Sequence, residues 1–200
     1  MQRRSLVFLA AAALLAAGCD KLKPGGAPAS FTSTDITGAD YANKLALPDV
    51  DGKLRSLDEW KGKIVVVFFG YAQCPDVCPA TLAELAAARR ELGPDGAKVQ
   101  VVFVTVDPVR DTPEILKAYV ANFGTDVVAL RGSLEQVKQT ARDFKVYFAQ
   151  VPGKTEGSYT VDHTAGSFIF DTQGRIRLFA RFGGDPKALL ADLRTLMAQA

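Results

Sequence analysis

The sequence predicts one α/β domain, with a central mixed sheet flanked by helices, placed after an N-terminal export signal. Two observations predict it. Short apolar runs of strand length alternate along the chain with segments whose apolar residues recur at helical spacing. The chain has 200 residues, 48% of them hydrophobic, which suffices for one domain with a sizeable core. The dense apolar runs also argue against a disordered chain.

The first 18 residues have the form of a secretory signal peptide. A basic start precedes an uncharged run from Ser5 to Ala17, and the run is shorter than the about 20 apolar residues of a membrane span. Residues 15–19, Leu-Ala-Ala-Gly-Cys, resemble a bacterial lipobox. We therefore expect residues 1–18 to be removed and Cys19 to receive lipid. The alternative is an ordinary signal peptide followed by an incidental cysteine.

Residues 19–30 are rich in Pro, Gly and Ser, which predicts a flexible tether between a membrane and a domain of residues 31–200. Asp20, directly after Cys19, resembles the inner-membrane retention signal of some lipoproteins. We expect a lipid-anchored protein of the bacterial cell envelope, with its domain facing the periplasm and the inner membrane favoured.

The charge of the mature chain argues against a nucleic-acid partner. The full sequence has 24 basic and 22 acidic residues, and the signal peptide removes two arginines. The remaining 22 basic and 22 acidic residues give a net charge of zero. A nucleic-acid-binding surface would add an excess of basic residues and an acidic tail an excess of acidic ones, so a net charge of zero argues against both.

The core begins with a strand, a helix and a second strand. Residues 63–70 include the continuous apolar run Ile64–Phe69, which is typical of a central strand covered on both faces. In residues 81–92, leucine and alanine recur at helical spacing, which predicts a helix there. Residues 99–106 are a second apolar run of strand length, and we predict a second buried strand there.

The second half of the chain continues the alternation. A helix over 113–123 has Thr112 as its N-cap, and a helix over 133–144 begins at Ser133. The other predicted elements are a short strand at 127–130, strands at 167–170 and 175–182 around the turn Asp171–Gly174, and a last amphipathic helix at 186–198.

Further elements precede the core. The turn Val50–Lys53 and residues 57–60 indicate an N-terminal hairpin, in which Trp60 is a packing residue. The full order is that of a thioredoxin-like fold, with extra N-terminal elements and a C-terminal β-hairpin plus helix.

Two cysteines lie between the first core strand and its helix, where open α/β sheets gather reactive groups. We expect Pro79 at the first helical position, which places Cys78 at or near the N-cap and Cys74 on the preceding turn. The positive end of the helix dipole favours thiolates there. Three intervening residues allow a redox pair or two thiolates on one soft metal, and a static disulfide bracing the loop is the inert alternative.

His163 shortly precedes the predicted strand at 167–170, which in this topology lies near the cysteine loop. Taken alone, a single histidine is more often a structural residue than a ligand. Two thiolates and one imidazole suit Cu(I), with a possible fourth ligand for Cu(II). Structural zinc prefers four protein ligands, but an aspartate could complete such a site, so zinc stays open.

Aspartates form a third group of candidates. Asp107 and Asp111 follow the second core strand, where they could hydrogen-bond a ligand or contact a partner, and Asp162 stands beside His163. The alternative for the first two is a turn followed by a helix cap, which needs no function.

Together these motifs resemble the Sco/SenC family, the thioredoxin-like copper proteins that help to assemble the CuA centre of cytochrome c oxidase. The matching segments are Gly70–Pro79, Asp107–Pro113, Val161–Thr164 and Asp171–Gly174. The resemblance implies that Cys74, Cys78 and His163 bind copper, as Cu(I) and Cu(II). It also implies two partners, namely the CuA-bearing subunit of cytochrome c oxidase and an upstream copper donor.

The family resemblance implies a copper chaperone, a thiol–disulfide reductase that prepares the CuA cysteines, or both. A different class is a thiol peroxidase or a general thioredoxin-like oxidoreductase without a required metal. Peroxidases of this fold usually place Thr and Cys in a Pro-rich loop with a supporting Arg, and a general reductase has two residues between its cysteines. Gln73, Asp76 and the three-residue spacing depart from both patterns.

Overall fold

A six-stranded sheet forms the centre of the fold. The computed structural model describes residues 30–124 and 126–199, so the predicted signal peptide, Cys19 and nearly all of the tether lie outside the described residues. The strands are β1 (Thr34–Asp35), β2 (Ala46–Pro48), β3 (Leu54–Ser56), β4 (Ile64–Gly70), β5 (Val99–Thr105), β6 (Val128–Leu130), β7 (Phe148–Pro152), β8 (Tyr159–His163), β9 (Gly166–Phe170) and β10 (Ile176–Arg181). The α-helices are α1 (Val77–Glu91), α2 (Pro113–Ala121), α3 (Leu134–Asp143) and α4 (Pro186–Ala198).

The sheet is mixed, as the sequence predicts. Its strand order is β1-β10-β9-β4-β5-β6, with β4, β5 and β6 parallel and β9 antiparallel to β4. Every residue of β4 and β5 is buried, which explains why both strands are continuous apolar runs. The carboxyl ends of the three parallel strands therefore meet at one edge of the sheet.

Aromatic residues show which helices cover the two faces. Phe68 of β4 and Phe103 of β5 pack together with ring centroids 6.1 Å apart, and Tyr119 of α2 lies 5.6 Å from Phe103. Phe69 instead packs 5.1 Å from Phe144, the C-cap residue of α3. Because successive residues of a strand point to opposite faces, α2 and α3 cover opposite faces of the sheet.

Helix α1 begins earlier than the sequence predicts. Its N-cap is Asp76, so Cys78 is the second helical residue and Pro79 the third. The prediction of Pro79 at the first helical position is wrong, and Cys78 lies two residues after the N-cap rather than at it. The first N–H groups of a helix have no partner within it, so a proline at the third position loses no intrahelical hydrogen bond. Proline therefore fixes the helix start only to within a turn.

The other predicted helix starts are confirmed. Thr112 caps α2 by accepting a hydrogen bond from the amide of Ile115, and Ser133 caps α3 by accepting from the amide of Gln136. The amide of Ser133 in turn donates to the side-chain oxygen of Gln136, which completes a capping box.

The N-terminal hairpin consists of β2 and β3, and residues 57–60 form a 3₁₀ turn after it. Trp60 is buried in the core, as predicted. No helix in the part of the chain that the structure describes has the length and apolar character of a membrane span.

The hairpin of β7 and β8 is absent from the sequence-based prediction. The two strands pair from Phe148 opposite His163 to Pro152 opposite Tyr159, as a ribbon separate from the central sheet. Most of its residues are exposed or half-buried, and Val161 is the buried exception. Without an apolar face of its own, the ribbon gives no clear period-2 pattern in the sequence.

Candidate metal centre

The cysteine loop leaves the carboxyl end of β4 and enters α1. Cys74 is half-buried in the loop, whereas Cys78 is completely buried in the first turn of the helix, and both are free thiols. Gly70 makes this packing possible, because a Cβ there would lie 2.7 Å from the Sγ of Cys78 and 2.9 Å from Phe103. A side chain at position 70 would therefore displace Cys78 from the sheet.

His163 approaches from the far end of β8. Its Nε2 lies 3.4 Å from the Sγ of Cys78, and its Nδ1 lies 3.2 Å from the carbonyl oxygen of Thr164. When Nδ1–H donates to that carbonyl, Nε2 keeps its lone pair for a metal. The rings of Phe68 and Tyr71 pack nearly perpendicular to the imidazole, with centroids 6.0 and 6.1 Å away.

The three predicted ligands come together in space. The two sulfurs and one imidazole nitrogen all lie within 4.8 Å of one another, and within the described ranges they form the one cluster of metal-ligating residues. Soft thiolates select Cu(I), and imidazole suits copper in both oxidation states. The donor set therefore fits copper.

The two thiols differ strongly in acidity. The hydrogen bond from Cys78 lowers the pKa of Cys74 to about 4, against the opposing effect of burial, and His163 adds to the lowering. The same interaction with Cys74, together with burial, raises the pKa of Cys78 far above its usual value. At neutral pH the pair therefore consists of an accessible Cys74 thiolate and a buried Cys78 thiol.

This acidity predicts an unusual alkylation profile for Cys74. The thiolate is the nucleophile, and with a pKa of about 4 Cys74 is fully ionised across the neutral range. We expect iodoacetamide to modify Cys74 in the metal-free, reduced protein at nearly equal rates at about pH 6 and about pH 8. The alkylation rate of an ordinary cysteine rises roughly a hundredfold between these two pH values, because its thiolate fraction rises by that factor. Mass spectrometry of quenched samples measures the rates, with urea-unfolded protein as the control. A hundredfold rise in the folded protein would contradict the prediction.

Asp111 lies beneath the cysteine loop and is fully buried. Its carboxylate accepts a hydrogen bond of 2.6 Å from the hydroxyl of Thr105 and one of 3.1 Å from the amide of Ala72. Burial raises the pKa of Asp111, and the two hydrogen bonds oppose that rise. Asp111 therefore connects β5 to the loop that bears Cys74.

Asp107 is also buried, but it faces the β7–β8 hairpin. Its carboxylate forms an ion pair with Arg110 and accepts a 3.0 Å hydrogen bond from the hydroxyl of Tyr159. Asp162 is exposed on β8, next to His163 but on the opposite side of the strand. The oxygens of Asp107 and Asp111 thus bind protein groups, and the ligand cluster contains none of the three candidate aspartates.

Sequence reasoning gave no role to Arg110 or Tyr159. The guanidinium carbon of Arg110 lies 3.6 Å from the centre of the Tyr159 ring, and its Nη1 donates a 2.8 Å hydrogen bond to the Tyr159 carbonyl. The two residues stand 49 positions apart. Only a prediction of the β7–β8 hairpin would have brought them together.

Comparisons with known proteins agree with this geometry. A family model described as SCO1/SenC matches residues 33–198. The SCO2-like protein of Rickettsia felis is 32% identical over 149 residues, which cover 74% of this chain and 73% of the relative.

Two solved structures are similar in both sequence and fold. The structure of Bradyrhizobium japonicum ScoI with copper bound is 37% identical, with a TM-score of 0.69, and the match covers 76% of this chain and 97% of that one. The solution structure of apo Sco1 from Thermus thermophilus is 36% identical, with a TM-score of 0.74 and coverage of 86% and 99%. One of these similar proteins was thus solved with the metal that the donor set fits.

Proposed function

The chain belongs to the SCO1/SenC family, and from that premise we propose that it is a metallochaperone that delivers copper to the CuA site of cytochrome c oxidase. The observation that supports this most is the cluster of Cys74, Cys78 and His163, whose ligand atoms lie within 4.8 Å of one another. Copper is the cargo of this protein, received from an upstream donor and passed to the CuA-bearing subunit. The similar ScoI protein that binds copper supports the same cargo.

The unequal burial of the three ligands suits transfer. Cys74 and His163 are partly exposed, whereas Cys78 is completely buried. An acceptor thiolate can therefore replace Cys74 first, while Cys78 still holds the ion. A site with three buried ligands would retain its metal rather than exchange it.

Copper binding by the reduced full-length chain in detergent tests the proposal. We expect one Cu(I) per chain in competition with a chelator, and one Cu(II) per chain with a thiolate-to-copper charge-transfer band, because two sulfurs and a nitrogen suit both ions. Absorption spectra and metal analysis measure both. Failure to bind copper, together with a readily exchanged Cys74–Cys78 disulfide, would contradict the chaperone role and leave a reductase.

A thiol–disulfide oxidoreductase is the second candidate, and the acidity of Cys74 favours it. The Cys74 thiolate would attack one sulfur of a partner disulfide and release the other as a thiolate. That thiolate takes up a proton as Cys78 loses one, and Cys78 then displaces the partner from Cys74. The partner gains two electrons, and Cys74 and Cys78 end as a disulfide. This reaction would prepare the CuA cysteines for metal.

The location that we propose rests on the N-terminal sequence. The lipobox-like residues 15–19 support lipid on Cys19, and Asp20 supports retention at the inner membrane. The tether over residues 19–30 would let the domain move along the periplasmic surface toward a membrane-bound acceptor. The balanced charge supports protein partners rather than nucleic acid.

A further inference from the structure

The ribbon that bears His163 needs an attachment to the rest of the domain. A two-stranded hairpin is only marginally stable by itself, and β7 and β8 form a sheet separate from the central one. Val161 is buried against the core, but most of the ribbon is exposed or half-buried. The position of the imidazole therefore depends on the few side chains that fasten β8 to the domain.

Arg110 makes two of these contacts, both with Tyr159. Its guanidinium stacks 3.6 Å from the Tyr159 ring, while Nη1 donates to the Tyr159 carbonyl at 2.8 Å. Asp107 completes the arrangement, because its carboxylate pairs with Arg110 and accepts from the Tyr159 hydroxyl at 3.0 Å. We call Asp107, Arg110 and Tyr159 the latch. It fixes the first residue of β8 to the loop that follows β5.

The latch is connected to the imidazole by two routes. Tyr159 begins the strand that ends at His163, a distance of roughly 13 Å along an extended chain. Arg110 also lies 5.7 Å from the ring of Tyr71, which packs edge-on against His163. Arg110 thus contacts both the strand that bears the histidine and the aromatic ring beside it.

We propose that Arg110 is a positioning residue that raises the affinity of the site for Cu(II) relative to Cu(I) by holding His163 close to the two cysteines. Soft thiolates select Cu(I), so the two sulfurs provide most of its binding, whereas Cu(II) depends more strongly on the nitrogen ligand. When the hairpin is released from the latch, the site therefore loses Cu(II) affinity and keeps most of its Cu(I) affinity. The inference rests on the proposed copper-binding function.

Arg110→Lys is the test variant. Lysine keeps a positive charge beside the buried Asp107, so the fold is retained, but it has neither the planar stack on Tyr159 nor the forked hydrogen bonding of arginine. Arg131→Lys is the matched control. Arg131 donates hydrogen bonds to the same loop after β5, to the carbonyl oxygens of Asp111 at 2.8 Å and Pro108 at 2.9 Å. Both of these bonds are made to the loop, and neither is made to the β7–β8 hairpin.

Hydrogen exchange of the metal-free protein gives the first readout. We expect the β7–β8 amides of Arg110→Lys to exchange at least about tenfold faster than those of the wild type, with the amides of β4 and β5 unchanged, because only the ribbon loses its attachment. Equal exchange in the ribbon would overturn the latch. Equally fast exchange in Arg131→Lys would also overturn it, since the effect would then belong to the loop in general.

Copper affinity gives the second readout. Loss of a direct outer partner of a ligating histidine weakens metal binding by about 10- to 100-fold. Arg110 acts on His163 through Tyr159 and Tyr71, so we expect the lower end, about a tenfold loss of Cu(II) affinity in Arg110→Lys, with Cu(I) affinity changed less than about threefold. An equal loss of affinity for both ions, or no loss for either, would overturn the proposed selective effect of Arg110 on Cu(II) binding. A wild-type protein that binds no copper would overturn the proposed function instead, while the exchange experiment would still decide whether Arg110 holds the ribbon.

Discussion

His163→Ala is expected to separate copper binding from thiol chemistry. Removing the single nitrogen ligand should weaken Cu(II) binding by more than about a hundredfold and abolish the thiolate-to-Cu(II) charge-transfer band. A hundredfold is about the largest effect usually seen when only a hydrogen-bond partner of a ligating histidine is removed, and losing the ligand itself should cost more. Thiol–disulfide exchange should change little, because Cys78 is the main cause of the low pKa of Cys74. Titration with Cu(II) followed by absorption, and exchange with a disulfide of known potential, measure the two properties.

Asp162→Ala is the matched control for this variant. Asp162 precedes His163 on the same strand, and its side chain is exposed on the opposite side. Wild-type Cu(II) binding in Asp162→Ala, with loss in His163→Ala, would identify the imidazole itself as the cause. Undiminished Cu(II) binding in His163→Ala would show that the ligand set is wrong.

Asp111→Ala is expected to destabilise the fold strongly. It leaves the hydroxyl of Thr105 and the amide of Ala72 without their acceptor, and each unsatisfied buried group costs about 1–3 kcal/mol. We expect the free energy of unfolding to fall by about 3 kcal/mol, measured by urea unfolding of the metal-free protein. Copper affinity should fall as well, because the freed amide lies two residues before Cys74.

Two further variants make this measurement decisive. Asp58→Ala removes an aspartate whose side chain is 77% exposed, and its unfolding free energy should change by less than about 0.5 kcal/mol. Asp111→Asn keeps the shape and one acceptor oxygen, so its loss should be intermediate. Equal stability of Asp111→Ala and Asp58→Ala would show that Asp111 does not brace the loop.

Asp111 also predicts a dependence of stability on pH. Burial raises the pKa of its carboxyl above the unfolded value, so the folded state holds the proton more tightly. This contribution is fully present below the unfolded pKa and is lost as the pH rises through the folded pKa. The unfolding free energy of the wild type, measured relative to that of Asp111→Asn, should therefore fall as the pH rises through that acidic range. Taking the difference cancels the contributions of the other carboxyls, which both proteins share.

The sequence by itself determined the elements whose pattern is local. The apolar runs of β4 and β5 predict central strands because a strand covered on both faces has no polar side. Thr112 and Ser133 mark the starts of α2 and α3 because a cap acts within three residues. The same locality places the cysteine loop between β4 and its helix. The predicted topology brings His163 near that loop, and the family resemblance implies that His163 is a ligand together with the cysteines.

The start of α1 was misplaced for a physical reason that is also local. A proline is compatible with any position in the first turn, since no N–H there has a partner within the helix. The sequence around Pro79 therefore permits more than one start. The structure places Cys78 inside the helix, where Gly70 leaves room for its sulfur.

Only the tertiary structure decided how the site is held together. Cys78 and His163 are 85 residues apart, and Arg110 and Tyr159 are 49 apart. Their contacts depend on the β7–β8 hairpin, which is mostly exposed and has no periodic apolar face. No local pattern in the sequence therefore predicts this hairpin. The reason is physical: local periodicity reports which face of an element is buried, whereas contacts between distant side chains are fixed only when the packed elements meet.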